Sequence, residues 1–478
     1  MPSDVTPRPT DLGAVPQRPD LGAVTPRRTD LGAVPQPPAL GAVTQRLTDP
    51  SARGLAEAVS RAVGDGALAP GAKLPPVRSV AAELRLSPST VNAAWQLLRR
   101  AGTIRTDGRR GTSVATAGPG RYRAALRHTP GFGLDLSTGV PDPALLPPLP
   151  ALHGLSPAPT SYLDAPVLPA LGELLREQWP YPAERLAVFD GAMDAVDQVS
   201  TALLRLGDLA VVENPCFPPL LDLLEVLGVS VIGVGTDAAG MLPDQLATAL
   251  TRRPAAVFLQ PRAHNPTGAS WTAARSGALA GVLAPHPQVY VVEDDSAGDL
   301  ASGPLCSLGA HLPRQVVHVR SFSKSHGPDL RLAAVSGPAA VLDPILERRL
   351  LGQGWTSRLL QHLLLTLLTD PASIAAVRAA RDEYARRRHL ITTGLAAAGI
   401  NLPPGEGLNI WLPVADEQAA LLNLASAGIG AAAGTAFTVG PARQPHLRVT
   451  VGLIADGHPE VSTQLAHAAR AATPPITR

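Results

Sequence analysis

Lysine is almost absent from this chain, and one of its two lysines lies among residues suited to covalent chemistry. The 478 residues include 41 Lys and Arg, of which only Lys73 and Lys324 are lysines, so arginine serves wherever a plain positive charge is enough. A lysine amine can lose its proton and condense with an aldehyde, whereas an arginine cannot. Ser321, Ser323 and Arg331 add hydroxyls and a fixed cation nearby. This set suits pyridoxal phosphate, an aldehyde with a phosphate; the alternative is an ordinary lysine in a surface loop.

Length, charge and cysteine content limit the class of protein. A chain of 478 residues is expected to form two or three domains, and its formal net charge of +2 means that any nucleic-acid contact needs a local patch. Cys216 and Cys306 lie far apart without a C-x-x-C pattern. They argue against a disulfide framework and a cysteine metal site, and suit a reducing cytoplasm. No apolar run is long enough to span a bilayer, and the N-terminus lacks the features of a signal peptide.

Six short runs of residues with high β-propensity are predicted to form the strands that position Lys324 and the other candidate site residues. Each run is followed by a stretch of helical periodicity or by a Pro/Gly loop. This alternation predicts an α/β domain with a mainly parallel sheet, whose ligands bind at the carboxyl ends of the strands. The predicted strands are residues 186–189, 209–212, 229–232, 256–259, 289–292 and 316–319.

Informative residues follow these runs at the predicted strand ends. Gly191 begins a turn into a helix, whose N-terminal N–H groups can hold a phosphate. Phe217 can stack on a flat cofactor, although a core position is the alternative. Asn265 can donate to a phenolic oxygen, and Asp294 can keep a pyridine nitrogen protonated unless its acidic run is only a solvated loop. Lys324 follows the sixth run.

The N-terminal third contains a repeat and then a compact unit. Residues 1–47 repeat the motif Asp-Leu-Gly-Ala-Val between proline-rich spacers, and we expect them to be disordered. From residue 51, helical periodicity leads to Ser87 and Pro88, a helix cap followed by a first turn. Asp107 and Gly108 predict a tight hairpin turn. Helix, turn, helix and basic hairpin are the layout of a winged helix-turn-helix; a small interaction domain without DNA is the alternative.

This unit resembles the GntR family of bacterial regulators. The resemblance rests on Gly66-x-Leu68-x-Pro70-Gly71-x-x-Leu74-Pro75-x-x-Arg78, on Thr90-Val91, and on Gly108-Arg109-Arg110-Gly111-Thr112. It implies a domain at 48–115, a linker at 116–133 and binding to a double-stranded DNA operator. Many relatives carry arginine or lysine where this chain has Pro88. By this resemblance, the residues facing DNA are Arg78, Ser87, Ser89 and Thr90, with Arg109 and Arg110 in the wing.

Residues 134–478 resemble fold-type I aminotransferases, and the whole chain resembles the MocR group of GntR regulators. The resemblance implies that Lys324 binds pyridoxal phosphate as an imine, Asp294 pairs with the ring nitrogen, Asn265 bonds the ring oxygen and Phe217 stacks on the ring. It implies a homodimer in which Tyr162 reaches the partner's phosphate. It assigns the phosphate to Ala192, Met193, Ser321, Ser323 and Arg331, and a substrate carboxylate to Arg448, with the backbone of Gly139 close by.

Two functions fit this organisation. The first is a transcription regulator that uses the aminotransferase-like domain to sense an amino acid or amine; the second is a working aminotransferase with an attached DNA-binding unit. A third possibility, in which the large domain serves only for dimerisation, is disfavoured, because Lys324 is retained in a chain that uses arginine almost everywhere else. Ser296 stands where the family has a tyrosine, and Met193 where it has a polar residue. A serine is poor for turnover, so we favour the sensor.

Overall fold

The computed structural model describes residues 41–64, 67–69, 71–100, 104–106, 111–114, 132–150, 161, 164–440 and 444–472. Three predicted site residues, Arg109, Arg110 and Tyr162, lie outside the described residues, as do the predicted tail up to residue 40 and residues 116–131 of the predicted linker.

The N-terminal unit has the predicted winged helix-turn-helix layout. Strand β3 pairs antiparallel with both β1 and β2. Leu55, Val59 and Val91 form a buried core beneath this small sheet. Its elements are α1 (Gly41–Thr44), α2 (Ala52–Gly64), β1 (Lys73–Leu74), α3 (Val77–Leu84), α4 (Pro88–Arg100), β2 (Ile104–Thr106) and β3 (Thr112–Val114).

The structure corrects the extent of the predicted tail, which we placed at residues 1–47. Residues 41–44 form the short helix α1, and Val43 is fully buried in the core that also contains Leu55 and Val59. One apolar side chain of the last repeat therefore packs on α2. The repeat motif does not reveal this contact, because the same Val occurs in each copy.

The α/β part is built from thirteen strands. Eight of them form one large sheet, and the others belong to a smaller domain. Their bounds are β4 (Leu134–Asp135), β5 (Arg185–Phe189), β6 (Leu209–Asn214), β7 (Ser230–Asp237), β8 (Gly240–Met241), β9 (Ala256–Leu259), β10 (Tyr290–Asp295), β11 (Val316–Ser321), β12 (Ala333–Gly337), β13 (Ile410–Pro413), β14 (Ile429–Gly430), β15 (Ala432–Ala433) and β16 (His446–Val449).

The large sheet has the order β5-β12-β11-β10-β9-β6-β7-β8. All six predicted strands are present as β5, β6, β7, β9, β10 and β11, and they run in one direction. Strand β12 was not predicted; it lies antiparallel between β5 and β11. The carboxyl ends of the six parallel strands therefore meet at one edge, which confirms the predicted fold class.

Helices cover both faces of this sheet. Apolar side chains of α6, α7 and α10 pack on one face, and those of α5, α8, α9 and α11 on the other. The helices are α5 (Pro169–Gln178), α6 (Ala192–Leu203), α7 (Pro218–Val226), α8 (Pro243–Leu250), α9 (Ala273–Leu283), α10 (Ala339–Leu350), α11 (Arg358–Thr369), α12 (Pro371–Ala397), α13 (Glu417–Ser426) and α14 (His458–Arg470).

A smaller domain combines the C-terminal part of the chain with the segment that enters from the linker. Strands β13, β16 and β15 form its sheet, and β4 pairs with β14. Leu136, just after β4, is buried in the same core as Ile410 and Leu465. The Asp142 carboxylate then pairs with Arg387 of α12 at 2.7 Å, and the Asp142 N–H donates to the Tyr384 hydroxyl at 2.8 Å. These contacts hold the entering segment beside the carboxyl edge of the large sheet.

No single helix in the described part of the chain is long and apolar enough to cross a membrane. Only α11 and α12 taken together, with a bend of 75° between them, meet those criteria of length and composition.

Candidate functional site

The carboxyl edge of the large sheet brings residues from four predicted strand ends together. Asp294 lies near the end of β10, Asn265 follows β9, Phe217 precedes α7 and Lys324 follows β11. Met193, Phe217 and Asp294 line one common cavity. Residues separated by a hundred positions in sequence thus share one small space, as a cofactor site requires.

Lys324 lies half-buried with its amine directed at Ser296. The distance from Lys324 Nζ to Ser296 Oγ is 3.4 Å. Burial lowers the pKa of Lys324; the Asp294 carboxylate opposes this change, and the positive charge of Arg448 adds to it. A lowered pKa increases the neutral fraction of the amine, which is the form that attacks an aldehyde.

Asp294 and Asn265 are held by one side chain that the sequence analysis did not single out, Gln260. The Gln260 amide donates to Asp294 Oδ2 at 2.8 Å, and its Oε1 accepts from the Asn265 N–H at 2.8 Å. Burial raises the pKa of Asp294, while the Gln260 hydrogen bond and the Lys324 charge oppose that rise. Gln260 directly follows the β-rich run 256–259, and this position was the available signal.

One polar atom each of Asp294 and Asn265 lacks a hydrogen-bond partner in the described part of the chain, and these two side chains fit groups of pyridoxal phosphate. Asp294 Oδ1 and Asn265 Oδ1 are buried and have no hydrogen-bond partner among the described residues. A carboxylate oxygen can accept from a protonated ring nitrogen, and an asparagine amide can turn its NH₂ toward a phenolic oxygen. Unpartnered buried polar atoms are costly, so this pair is built for a ligand with matching groups.

The phosphate end of the site lies at the N-terminus of α6. Gly191 caps this helix with φ 103°, and a side chain there would meet the Arg331 guanidinium at 2.8 Å. Arg331 Nη2 also donates to Asp190 O at 3.3 Å, which holds the cation over the helix terminus. On the other side, the Ser321 hydroxyl accepts from the Ser323 N–H at 3.3 Å. Helix N–H groups of Ala192 and Met193, two hydroxyls and a guanidinium are thus arranged so that they could hold a phosphate, and we refer to them as the phosphate cradle.

The opposite end contains Arg448 beside Gly139. The Arg448 guanidinium donates to Ser137 O, and its Nη1 lies 3.4 Å from both Asn409 Oδ1 and Thr450 Oγ1. Gly139 has φ 69°, and a Cβ there would lie 2.2 Å from Arg448 Nη1. Only glycine fits this close approach. The structure therefore brings together the two residues that were predicted to bind a carboxylate.

Burial favours the neutral forms of two ionisable groups that line the cavity, Glu213 and His264. Burial raises the pKa of Glu213 to about 8, although its Oε2 accepts from the Gln260 N–H at 2.8 Å. Burial lowers the pKa of His264 to about 3. His264 Nδ1 lies 2.9 Å from the Thr267 hydroxyl, so this ring already has a partner. No group of three or more His, Cys, Asp and Glu side chains within the described ranges is arranged to hold a metal ion.

The DNA-facing residues predicted in the N-terminal unit lie at the start of α4 and on α3. Ser87 Oγ accepts from the Thr90 N–H at 3.0 Å and so caps α4, as expected for the residue before Pro88. The hydroxyls of Ser89 and Thr90 both lie 2.7 Å from Ser87 Oγ. Arg78 on α3 is exposed. These side chains present three hydroxyls at a helix N-terminus, the part of a recognition helix that reaches base edges.

Replacing Gln260 by alanine is expected to weaken cofactor binding about ten- to a hundredfold. A hydrogen bond to a charged group contributes about 1.5–3 kcal/mol, and the substitution removes the donor to Asp294. Gln260→Glu should be at least as damaging, because it places a carboxylate against Asp294. Absorbance titration with pyridoxal phosphate measures the affinity. Gln245→Ala is the matched control, since Gln245 accepts from the Gly235 N–H at 2.9 Å away from the cavity. Equal affinities for Gln260→Ala and the control would contradict the role of Gln260.

Comparison with protein families gives two matches. Residues 51–114 match the family described as bacterial regulatory proteins, gntR family. Residues 135–468 match the family described as aminotransferase class I and II. The two matched segments coincide with the two units of the fold.

Individual proteins are similar over most of the chain. The vitamin B6 salvage pathway transcriptional repressor PtsJ of Salmonella typhimurium strain LT2 is 39% identical over 82% of this chain and 91% of that protein. The HTH-type transcriptional regulator TauR of Rhodobacter capsulatus is 27% identical over 82% of this chain and 90% of that protein. The structure of aspartate aminotransferase from Thermus thermophilus with maleate covers 77% of this chain and 98% of its own, with a TM-score of 0.62 and 22% identity, which shows a shared fold.

Proposed function

This chain belongs to the MocR group of GntR-family regulators, which join a gntR-type unit to an aminotransferase class I and II domain, and from that premise we propose that it is a transcription regulator that senses a ligand through pyridoxal phosphate. It binds an operator through α3, α4 and the hairpin, in the cytoplasm. The observation that carries the proposal is that one chain joins this unit to a cofactor site whose lysine faces Ser296.

Pyridoxal phosphate, when bound, supplies an aldehyde that condenses with amines and a ring that withdraws electrons. The chain's own residues orient it. Lys324 would hold it covalently, Asp294 would pair with the ring nitrogen, Asn265 would bond the ring oxygen and Phe217 would stack on the ring. The phosphate is held by Ala192, Met193, Ser321, Ser323 and Arg331.

Recognition of an amino acid or amine follows from the other end of the site. Arg448 and the backbone at Gly139 would hold the carboxylate of an amino-acid effector, which would leave its amine near Lys324. Ser296 supports a sensor over an enzyme, because its hydroxyl has a shorter reach than a phenol and is a weaker acid. Transamination requires proton transfers near neutral pH, which depend on such a group. Binding without rapid turnover suits a regulator.

A second candidate for the signal is the cofactor itself. The 39% identical relative is named as a repressor of a vitamin B6 salvage pathway. On this alternative, occupancy of the Lys324 site alone changes operator binding, and amines have no further effect. An active aminotransferase with an attached DNA-binding unit, which would be an enzyme and not a sensor, remains the alternative function.

Measurements of operator binding and of transamination turnover on the same protein distinguish the amine sensor, the cofactor sensor and the aminotransferase. We expect operator affinity to change when pyridoxal phosphate is added, and to change again with one member of an amino-acid and amine panel that also shifts the visible absorbance. We expect turnover on the same panel to stay below about one per second, the lower range of enzymes. Faster turnover on any donor would establish the aminotransferase. A response to the cofactor and to no amine would establish the cofactor as the signal.

The working protein is expected to be a homodimer. Leu350, Leu351 and Leu359 are 58%, 90% and 51% exposed at the end of α10 and near the start of α11, and exposed apolar side chains of this kind are candidates for an interface. A charge at such an interface is costly, so Leu351→Glu should shift sedimentation toward the monomer and weaken cofactor binding, because Tyr162 of a partner no longer reaches the phosphate. Leu422→Glu, at a leucine of α13 that is 70% exposed, is the control. A monomer at micromolar concentration with full cofactor occupancy would contradict the proposal.

A further inference from the structure

A second cleft lies on the opposite face of the large sheet from the cofactor cavity. It opens between the end of α5, the loop after β10 and the junction of α11 with α12, and has a volume of about 460 Å³. We name it the arginine cleft after Arg262, Arg320, Arg378 and Arg381, which line it. It shares no lining residue with the cofactor cavity. Its volume is that of sites for small organic molecules.

The charges around the arginine cleft leave it positive. Arg262 pairs with the buried Asp295 at 2.6 Å, and Arg320 pairs with Asp299 at 2.7 Å. Both arginine side chains are only 11% exposed, so their guanidinium groups are fixed in the wall.

The two arginines on α12 are not neutralised within the cleft. Arg381 pairs with Asp382 at 3.0 Å, and Asp382 is 70% exposed and is not part of the lining. Arg378 is exposed and forms no ion pair among the described residues. Arg378 and Arg381 therefore add positive charge at the mouth of the cleft, beside two arginines that are fixed in its wall.

Part of the cleft lining is apolar and consists of Leu367 and Leu368 of α11 and Ile374 and Val377 of α12, the last two on the same helix as Arg378 and Arg381. Ile374 is the partly exposed member of this set, since the other three side chains are buried. An inorganic ion would leave Ile374 against water, whereas an organic group would cover it. We propose that the arginine cleft binds a small organic anion, with a phosphate or carboxylate at Arg378 and Arg381 and an apolar part against Ile374.

This site is linked to the cofactor site through the end of one strand. Asp294 and Asp295 are consecutive in β10, so their side chains point to opposite faces of the sheet. Asp294 faces Lys324 and Asp295 faces Arg262. The Gly303 carbonyl accepts from Arg262 at 3.5 Å, and the Gly303 N–H donates to Glu406 of the smaller domain at 3.2 Å. A ligand in the cleft therefore contacts the loop after β10, which is hydrogen-bonded to Glu406 of the smaller domain.

Calorimetric titration of the full chain, loaded with pyridoxal phosphate, tests the proposal. Loading occupies the phosphate cradle at Arg331, so added anions must bind elsewhere. We expect saturable binding of phenyl phosphate, tighter than that of inorganic phosphate because the ring covers the exposed part of Ile374. Sodium chloride at matched ionic strength should give no saturable heat.

Variants locate the binding. Arg378→Ala should weaken phenyl phosphate binding about tenfold, since it removes one charge-assisted contact. Arg378 has no ion-pair partner in the described part of the chain that its loss would leave unpaired, so folding should be unaffected. Arg348→Ala removes an exposed arginine of α10 outside the cleft and should leave the affinity unchanged.

Four results would overturn the proposal. They are an absence of saturable binding, equal weakening by Arg348→Ala and Arg378→Ala, weakening by Arg331→Ala alone, and displacement of phenyl phosphate by a random-sequence DNA duplex whose own binding also requires Arg378. The last result would assign the cleft to DNA.

Discussion

Replacing Lys324 by alanine is expected to abolish the covalent attachment of pyridoxal phosphate. Only an amine can condense with the aldehyde, and the chain has one other lysine, Lys73, which is exposed in β1 of the N-terminal unit. Lys324 lies between Asp294 and Ser296, in a site that lowers its pKa through burial. The wild-type protein is therefore expected to show a visible absorbance band that borohydride converts into a stable adduct on Lys324.

Two control variants separate the effect of the positive charge at position 324 from the effect of an amine that can condense with an aldehyde. Lys324→Arg keeps a positive charge beside Asp294 but cannot condense with an aldehyde, so it should lose the band as completely as Lys324→Ala. Lys73→Ala should retain the band at full intensity. Mass spectrometry of the reduced protein identifies the modified peptide. If Lys324→Ala kept the same reducible adduct, Lys324 would be excluded as the cofactor residue.

Removing two wing arginines, Arg109 and Arg110, lowers the salt dependence of operator binding. Each phosphate contact contributes about 0.9 to the slope of log affinity against log salt, so the double alanine variant should lose about 1.8 of that slope. The affinity for all sequences should fall together, because phosphate contacts carry no base information. Binding measured at several salt concentrations gives the slope. Arg53→Ala is the control, since Arg53 of α2 pairs with Glu57 at 3.3 Å.

Base recognition is expected to depend on other residues of the same unit. Ser89→Ala should relax the sequence preference without changing the salt slope, because Ser89 carries no charge and is exposed near the start of α4. Ser87→Ala is a poorer probe, since it also removes the cap of α4 and destabilises the unit by about 1 kcal/mol. An unchanged slope in the double arginine variant would remove the wing from the DNA interface.

Local sequence features determined the α/β class and the direction of six strands. The runs at 186–189 and 316–319, for example, contain apolar residues of high β-propensity. The helical stretches between successive runs favour parallel strands, because a parallel pair needs a long crossover connection. Lys324 was identifiable because the chain uses arginine almost everywhere else. The cap of α4 was identifiable because Ser87 and Pro88 are adjacent. Such signals depend on composition or on neighbours in sequence.

The tertiary structure alone decided which distant side chains meet. Strand β12, whose five residues are two alanines, a valine, a serine and a glycine, has little periodicity of its own and is defined by β5 and β11 on either side. Gln260 became part of the site only because β9 and β10 are neighbours, which brings its amide to Asp294. The arginine cleft depends on α12 crossing beside the loop after β10. These contacts join residues far apart in the chain, so they follow from strand order and helix packing, and no local pattern encodes them.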